Sequence, residues 1–266
     1  MKLSVSTWAY FDKSREEAFE RIAALGVEGV EIIAHAPCFH VDVNMTDEQI
    51  GYVKGLLTAH HLEISAISPA TEFLVFTEEE MKAQLDHMKR VADLCLRLGA
   101  NHARIFAGGR LPEGRSTKEC LDAVIYGLQE TAKIAESAGI KVSVENHGQF
   151  GGVYELFKPA MDAVPSLGIT LHTNRLARMP NYLDYVREFA PRVMHTHLND
   201  SAPVTAEGER PRSVALGEGT LDVPAILKIL QEAGYSGYYN IEYGAGQEDP
   251  TPLIEKSLAY LRKHLA

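Results

Sequence analysis

Residues Val193–Asp200 read VMHTHLND. The alternation is that of a short strand: Met194, Thr196 and Leu198 fall on one side, His195 and His197 on the other. His197 sits where the strand runs out. Two imidazoles at i and i+2 on one strand face suit a metal site, and equally a pair of hydrogen-bonded core histidines. The two readings separate on whether other segments also end in ligand-type residues at the same level.

Outward from this stretch, strand and helix alternate along the chain. Strands are expected at Leu3–Thr7, Val30–Ala34, Glu63–Ser68, His102–Phe106, Lys141–Glu145, Ile169–His172, Val193–Leu198 and Tyr238–Glu242. Helices are expected at Ser14–Leu25, from Thr46 or Asp47 to about His61, and at Glu78–Leu98, Lys118–Ala138, Tyr154–Val164, Asn181–Phe189, Pro224–Ala233 and Pro252–His264. Gly26, Gly99 and Gly139 stand just past three helix ends, where a left-handed residue closes the last turn. The segment Asp200–Leu221 reads as a long loop. Eight strand–helix units at this spacing predict an α/β fold of the (β/α)8 TIM-barrel type, one domain over residues 1–266. A doubly wound open sheet is weaker, because no G-x-G-x-x-G follows the first strand.

The 266-residue length fits one such barrel, and a composition of 45% hydrophobic and 23% charged residues is that of an ordinary globular protein. A net charge of −10 disfavours nucleic acid, which needs a basic groove, and membrane attachment has no support. Cys38, Cys95 and Cys120 are odd in number and widely spaced, which suits free thiols in a reducing cytoplasm rather than a disulfide framework. The opening MKLSVSTWAY begins a strand directly, without an apolar run of signal-peptide length, so a cytoplasmic location is expected.

In a barrel of this type chemistry sits at the C-terminal strand ends. Strand five, KVSVE, turns Ser143 and Glu145 inward and ends on Glu145. Strand six, ITLH, turns Thr170 and His172 inward and ends on His172; strand seven ends on His197; strand eight turns Asn240 and Glu242 inward and ends on Glu242. Four consecutive strands therefore deliver Glu, His, His and Glu to one rim. Two acids meeting in a buried rim repel unless a cation compensates. With two histidines they form an N2O2 ligand set that leaves positions open for water or substrate.

Other rim candidates carry two readings each. His35 and Glu31 on strand two, and Arg104 and Phe106 on strand four, share the inward phase. Glu31 and Arg104 are expected to pair across the barrel floor. Trp8 would either wall a sugar or plug the barrel. His147, Asn174, Arg175, Asn199 and Asp200 lie just beyond strand ends and would bind polar ligand groups, cap helices or tie loops. His35, Arg104, His147 and Arg175 are the residues expected to contact substrate. The three cysteines are expected to be chemically silent.

Seven motifs then carry a resemblance. GVEGVEI follows the first helix, ARIFAGG lies on strand four, VENHG on strand five, LHTN on strand six, HTHLND on strand seven, LGEGTLD in the next loop and IEYG on strand eight. As a set they resemble the xylose isomerase-like barrel superfamily: sugar phosphate isomerases and epimerases, inosose dehydratase-like proteins and, more remotely, endonuclease IV. The resemblance implies one divalent metal held by Glu, Asp, His and Glu at the strand ends. Here the matching residues are Glu145, His197 and Glu242, and the usual Asp is His172. Imidazole in place of a carboxylate favours Mn, Co or Zn over Mg. The three-metal cluster of the endonucleases needs further Asp and His ligands where this chain has Pro211, Ser213 and Arg175. The ketose 3-epimerases carry a His at the position of Arg175, and an Arg in the loop after strand seven, where only Arg210 or Arg212 is available.

The resemblance and the ligand set together imply proton abstraction beside a carbonyl of a ketose or related polyol, with Glu145 and Glu242 as the acid/base pair. A dehydratase or lyase acting on a keto-cyclitol or oxidised glycoside is the alternative, prompted by Glu207, Glu209, Arg210 and Arg212 in the long loop. A non-catalytic sugar-binding barrel is the third reading, prompted by His172. No motif reads as a phosphate cradle. The partner expected is a small sugar or cyclitol, and such barrels often form homo-oligomers.

Overall fold

The computed structural model describes residues 1–203, 212–244 and 249–265. Eight parallel strands form the barrel: β1 Lys2–Ser6, β2 Gly29–His35, β3 Glu63–Pro69, β4 His102–Phe106, β5 Lys141–Glu145, β6 Gly168–His172, β7 Val193–His197 and β8 Tyr238–Ile241. Each pairs with the next from β1 to β7, and β8 pairs back onto β1 with Lys2 opposite Tyr238. The seam between β7 and β8 is closed by Leu198, which bridges to Ile241; its N–H donates to the Asn240 carbonyl at 2.7 Å, and its carbonyl accepts from the Glu242 N–H at 3.2 Å.

Among the described residues, eight helices of eight residues or more wrap the barrel: α1 Arg15–Ala24, α2 Asp47–Ala59, α3 Glu78–Leu98, α4 Thr117–Ala138, α5 Tyr154–Asp162, α6 Tyr182–Phe189, α7 Val223–Glu232 and α8 Thr251–His264. Three of them start with reciprocal side-chain caps, Thr46 with Gln49, Thr77 with Glu80 and Ser116 with Glu119. The two longest, α3 and α4, stop at Gly99 (φ +80°) and Gly139 (φ +68°), a backbone turn that a side chain would strain. The outward strand residues, among them Val142, Val144, Ile169, Leu171 and Ile241, are buried in the layer between sheet and helices. Expected and observed elements agree to within one or two residues.

The inside of the barrel differs from the branched apolar filling usual for this architecture. Ser4, Glu31, Ser68, His102, Arg104, Ser143, Thr170, His195 and Asn240 are all buried. Several of them satisfy one another: His102 Nε2 lies 2.8 Å from Ser143 Oγ, Ser143 Oγ lies 2.6 Å from Thr170 Oγ1, and Ser4 Oγ donates to Asn240 Oδ1 at 2.7 Å.

The segment expected as a plain loop after β7 contains an antiparallel pair, Asp200–Ser201 with Ser213–Val214. Glu207, Glu209, Arg210 and Pro211 lie outside the described residues. Short pieces without a sequence period were not anticipated: the 3-10 turns Thr7–Tyr10 and Thr173–Arg178, the helical turn Gly148–Gly151, and the pair Cys38–Phe39 against β2. Among the described residues no helix is long and apolar enough to cross a membrane.

Candidate metal centre and its cavity

Strand phase brings Glu145, His172, His197 and Glu242 together at the C-terminal end of the barrel. One ligand atom from each lies within 4.8 Å of every other, and all four residues are buried. His172 is fixed by the residue after Glu145: Asn146 accepts from the His172 N–H through Oδ1 at 2.7 Å and donates to the His172 carbonyl through Nδ2 at 3.3 Å. The VENHG motif contained this clamp, but only the β5–β6 pairing reveals it.

His197 is oriented from behind. Its Nε2 lies 2.9 Å from Glu31 Oε1, so Nε2 carries a proton and Nδ1 faces the cluster. Glu31 is in turn held by Ser68 Oγ and by Asn240 Nδ2 at 2.7 Å. His197 Nδ1 stands 3.1 Å from Glu242 Oε2 and 3.4 Å from Glu145 Oε2. It makes an aligned hydrogen bond with neither, and Glu145 Oε2 is likewise without a hydrogen-bond partner. Buried unpaired polar atoms converging from two strands are what a ligand set for a cation presents. The donors fit a divalent ion.

Electrostatics agrees. Burial works against the charge on His197, but Glu242, Glu31 and Glu145 overcome it and hold the imidazole well above its ordinary range. Burial likewise pushes Glu31, Glu145 and Glu242 up, and the charge of His197 more than reverses it, so all three carboxyls lie below their usual range. Three buried carboxylates thus demand positive charge at His197 Nδ1, where a proton or a cation would sit.

His172 is placed less simply. Its Nδ1 is 2.7 Å from Glu145 Oε1 and 3.7 Å from Glu242 Oε2. Its Nε2 faces Asn199 Nδ2 at 3.2 Å, an amide that also donates to the Glu242 carbonyl at 3.0 Å. Asn199 donating to Nε2 leaves the proton on Nδ1, shared with Glu145. Ligation through Nδ1 requires that proton to leave.

A cavity of about 320 Å³ opens above the cluster. Glu145, His172 and Glu242 line it, together with Trp8, His35, Phe106, His147 and Arg175. Trp8 is a wall rather than a plug, its ring 5.6 Å from His35; His147 packs on Phe106 at 4.6 Å. Burial pushes His147 down to about 4 and lowers His35, so both offer neutral imidazoles.

The expected Glu31–Arg104 ion pair is present, but Arg104 is shared with Glu145. Arg104 is 2% exposed, and its Nε lies closer to Glu145 Oε2, at 3.3 Å, than to Glu31 Oε1, at 3.7 Å. Glu31 answers chiefly to His197, Ser68 and Asn240. His195 packs edge-on against His197, ring centroids 5.4 Å apart, and like it faces Glu31, with Nε2 3.6 Å from Oε2; its other ring neighbour is His102. Asp200 ties a loop, accepting from the N–H groups of Gly217, Gly219 and Leu221. Asn174 accepts from Ser201 Oγ at 2.6 Å. All three cysteines are buried thiols; Cys38 Sγ lies 3.1 Å from His40 Nδ1. A groove of about 560 Å³ at the opposite end of the barrel contains Lys2 and Glu63, which pair with each other at 2.9 Å.

Comparison with known proteins places the fold. An uncharacterised protein of Methanocaldococcus jannaschii is 23% identical over 260 residues, covering 91% of this chain and 83% of the relative. The crystal structure of the IolI protein with a bound zinc atom superposes with a TM-score of 0.83 at 17% identity, covering 100% of this chain and 98% of that one. The 3-keto-D-glucoside 4-epimerase of E. coli superposes with a TM-score of 0.77 at 21% identity, covering 99% of each. The family model for the xylose isomerase-like TIM barrel matches residues 19–264, and the chain belongs to that family.

Proposed function

We propose that this protein is a divalent-metal-dependent isomerase or epimerase of a ketose or related polyol. The observation that carries the reading is the convergence of Glu145, His172, His197 and Glu242 on one point beneath a cavity of sugar size. A zinc-binding relative and an epimerase on the same fold support it. A cation held there would polarise a substrate carbonyl and stabilise negative charge on its oxygen. Mn, Co or Zn suits two imidazoles and two carboxylates better than Mg does.

The chain's own residues would do the rest. Glu145 and Glu242 are the proton carriers: one takes the proton from the carbon beside the carbonyl and the other returns one. Return to the same carbon from the opposite face is epimerisation, and return to the neighbouring carbon is isomerisation. Glu145 Oε2 is suited to the task, being buried and without a hydrogen bond. Trp8, Phe106 and His147 would cover the substrate and exclude water.

The test is exchange of substrate hydrogen with D2O across a panel of ketoses and inososes. Exchange is expected in the native protein and should fall by about 100-fold or more in Glu145→Gln and in Glu242→Gln. Undiminished exchange in both variants would remove the acid/base assignment. Loss of water from the product would instead mark the dehydratase alternative.

A further inference from the structure

One wall of the cavity is aromatic and holds a polar atom that the proton-transfer reading does not use. Trp8, His35, Phe106 and His147 follow one another along it, with ring centres 5.6, 6.3 and 4.6 Å apart in turn. His35 is the last residue of β2 and stands between Trp8 and Phe106.

The His35 ring is fixed in position and in tautomer. Its Nδ1 lies 2.7 Å from the Ala36 carbonyl. A carbonyl only accepts, so Nδ1 carries the proton and Nε2 keeps its lone pair. Among the described residues Nε2 has no hydrogen-bond partner. It is not sealed off as Glu145 Oε2 is, because His35 is half-buried and lines the cavity. Burial, helped by the charge of Arg104, lowers His35 against the pull of the Ala36 carbonyl, Glu242 and Glu31, so the ring is neutral at pH 7. The wall therefore presents a fixed acceptor. An acceptor covered by a ligand that brings no donor is costly. Of the groups a sugar carries, a hydroxyl donates, whereas a ketone, an ether and an ionised phosphate only accept.

We propose that His35 is a specificity-determining residue: its Nε2 accepts from a free hydroxyl of the substrate, so the sugar taken by this cavity carries neither phosphate nor ether at the position facing β2. A site built to bond a hydroxyl rejects the analogue that lacks it, because its own polar atom is then left unpaired. The proposal rests on the sugar-converting reading given above and names what that sugar must offer.

The test is titration calorimetry of the protein reconstituted with Mn2+, using D-fructose and scyllo-inosose, each beside its monodeoxy analogues. In the native protein one analogue of the sugar that binds is expected to bind at least about 10-fold more weakly than its parent, and the others within about 3-fold of it. His35→Phe keeps an aromatic ring in the wall and removes the acceptor. It should close that one gap to within about 3-fold. His35→Gln, whose amide oxygen accepts, should reopen it. Each gap is taken within one protein, so a general loss of affinity cancels. Should His35→Phe fail to fold, His35→Ala takes its place. A gap unchanged in His35→Phe overturns the proposal, as does His35→Gln behaving like His35→Phe. D-Fructose 1-phosphate or 6-phosphate binding more tightly than D-fructose, with the preference lost in His35→Phe, would overturn it in favour of a charged His35 that holds an anion. Glu145-dependent exchange of either sugar with no gap that answers to His35 sinks the proposal and leaves the enzyme reading standing. Neither binding nor exchange with either sugar sinks both.

Discussion

Glu31 acts on the candidate centre through His197 rather than by touching it. Its Oε1 takes the Nε2 proton, which fixes the tautomer that presents Nδ1 to Glu145 and Glu242. Removing the negative charge while keeping the shape should therefore weaken metal binding. Glu31→Gln is expected to raise the Zn2+ dissociation constant by about 10- to 100-fold in a chelator competition. An unchanged constant would mean that Glu31 merely balances charge inside the barrel. The same competition on His172→Ala should show loss of the metal, whereas retention would place His172 outside the ligand set and keep it as the Glu145 partner. The sequence showed Glu31 in the inward phase of its strand but not its partner. The two residues are 166 apart in the chain, and only closure of the barrel brings them together. The convergence of Glu145, His172, His197 and Glu242 was legible because each is the last inward-phase residue at its strand end, a position that local alternation fixes.

The elements that hold the strands in place were legible for a similar reason: their signals are local. Ser116 accepts from the Glu119 N–H, while the Glu119 carboxylate accepts from the Ser116 N–H at 2.9 Å and from its hydroxyl at 2.8 Å. Ser116→Ala should cost about 1 kcal/mol in urea unfolding. Those hydrogen bonds, with Arg115, hold the Glu119 carboxyl down at about 2. A lowered carboxyl stabilises the fold above its unfolded value, near 4.5, and loses that contribution as pH falls toward 2. The stability gap between the native protein and Glu119→Gln should therefore be full at neutral pH and shrink progressively below about pH 4.5. A gap independent of pH would show that the carboxylate makes no use of its charge. The 3-10 turn Thr173–Arg178 and the pair Asp200–Ser201 with Ser213–Val214 had no such local signature. They depend on where β6 and β7 end, and Thr173 binds the His197 and Asn199 carbonyls across that gap at 3.3 and 2.6 Å.

At the scale of the whole molecule, the barrel encloses a polar interior whose charges are set by the end where the ligands gather. Three buried carboxylates are tolerated because His197 and Arg104 stand among them. A cation bound among them would make metal binding and folding one equilibrium with a defined pH dependence. His197 is held above its ordinary value of 6.5, so its proton stabilises the fold fully below that value and progressively less as pH rises through the folded one. A metal at Nδ1 must displace that same proton, so the stability gained from metal runs in the opposite direction. Thermal melts of the protein with Mn2+ and with chelator should diverge as pH rises from about 6 to about 9, the metal increment growing toward the 2.7 kcal/mol or so that a ligand at 100 times its dissociation constant supplies. His197→Ala should abolish the increment at every pH. An increment that is flat across the range, or that survives in His197→Ala, would place the metal elsewhere and detach the polar interior from the chemistry above it.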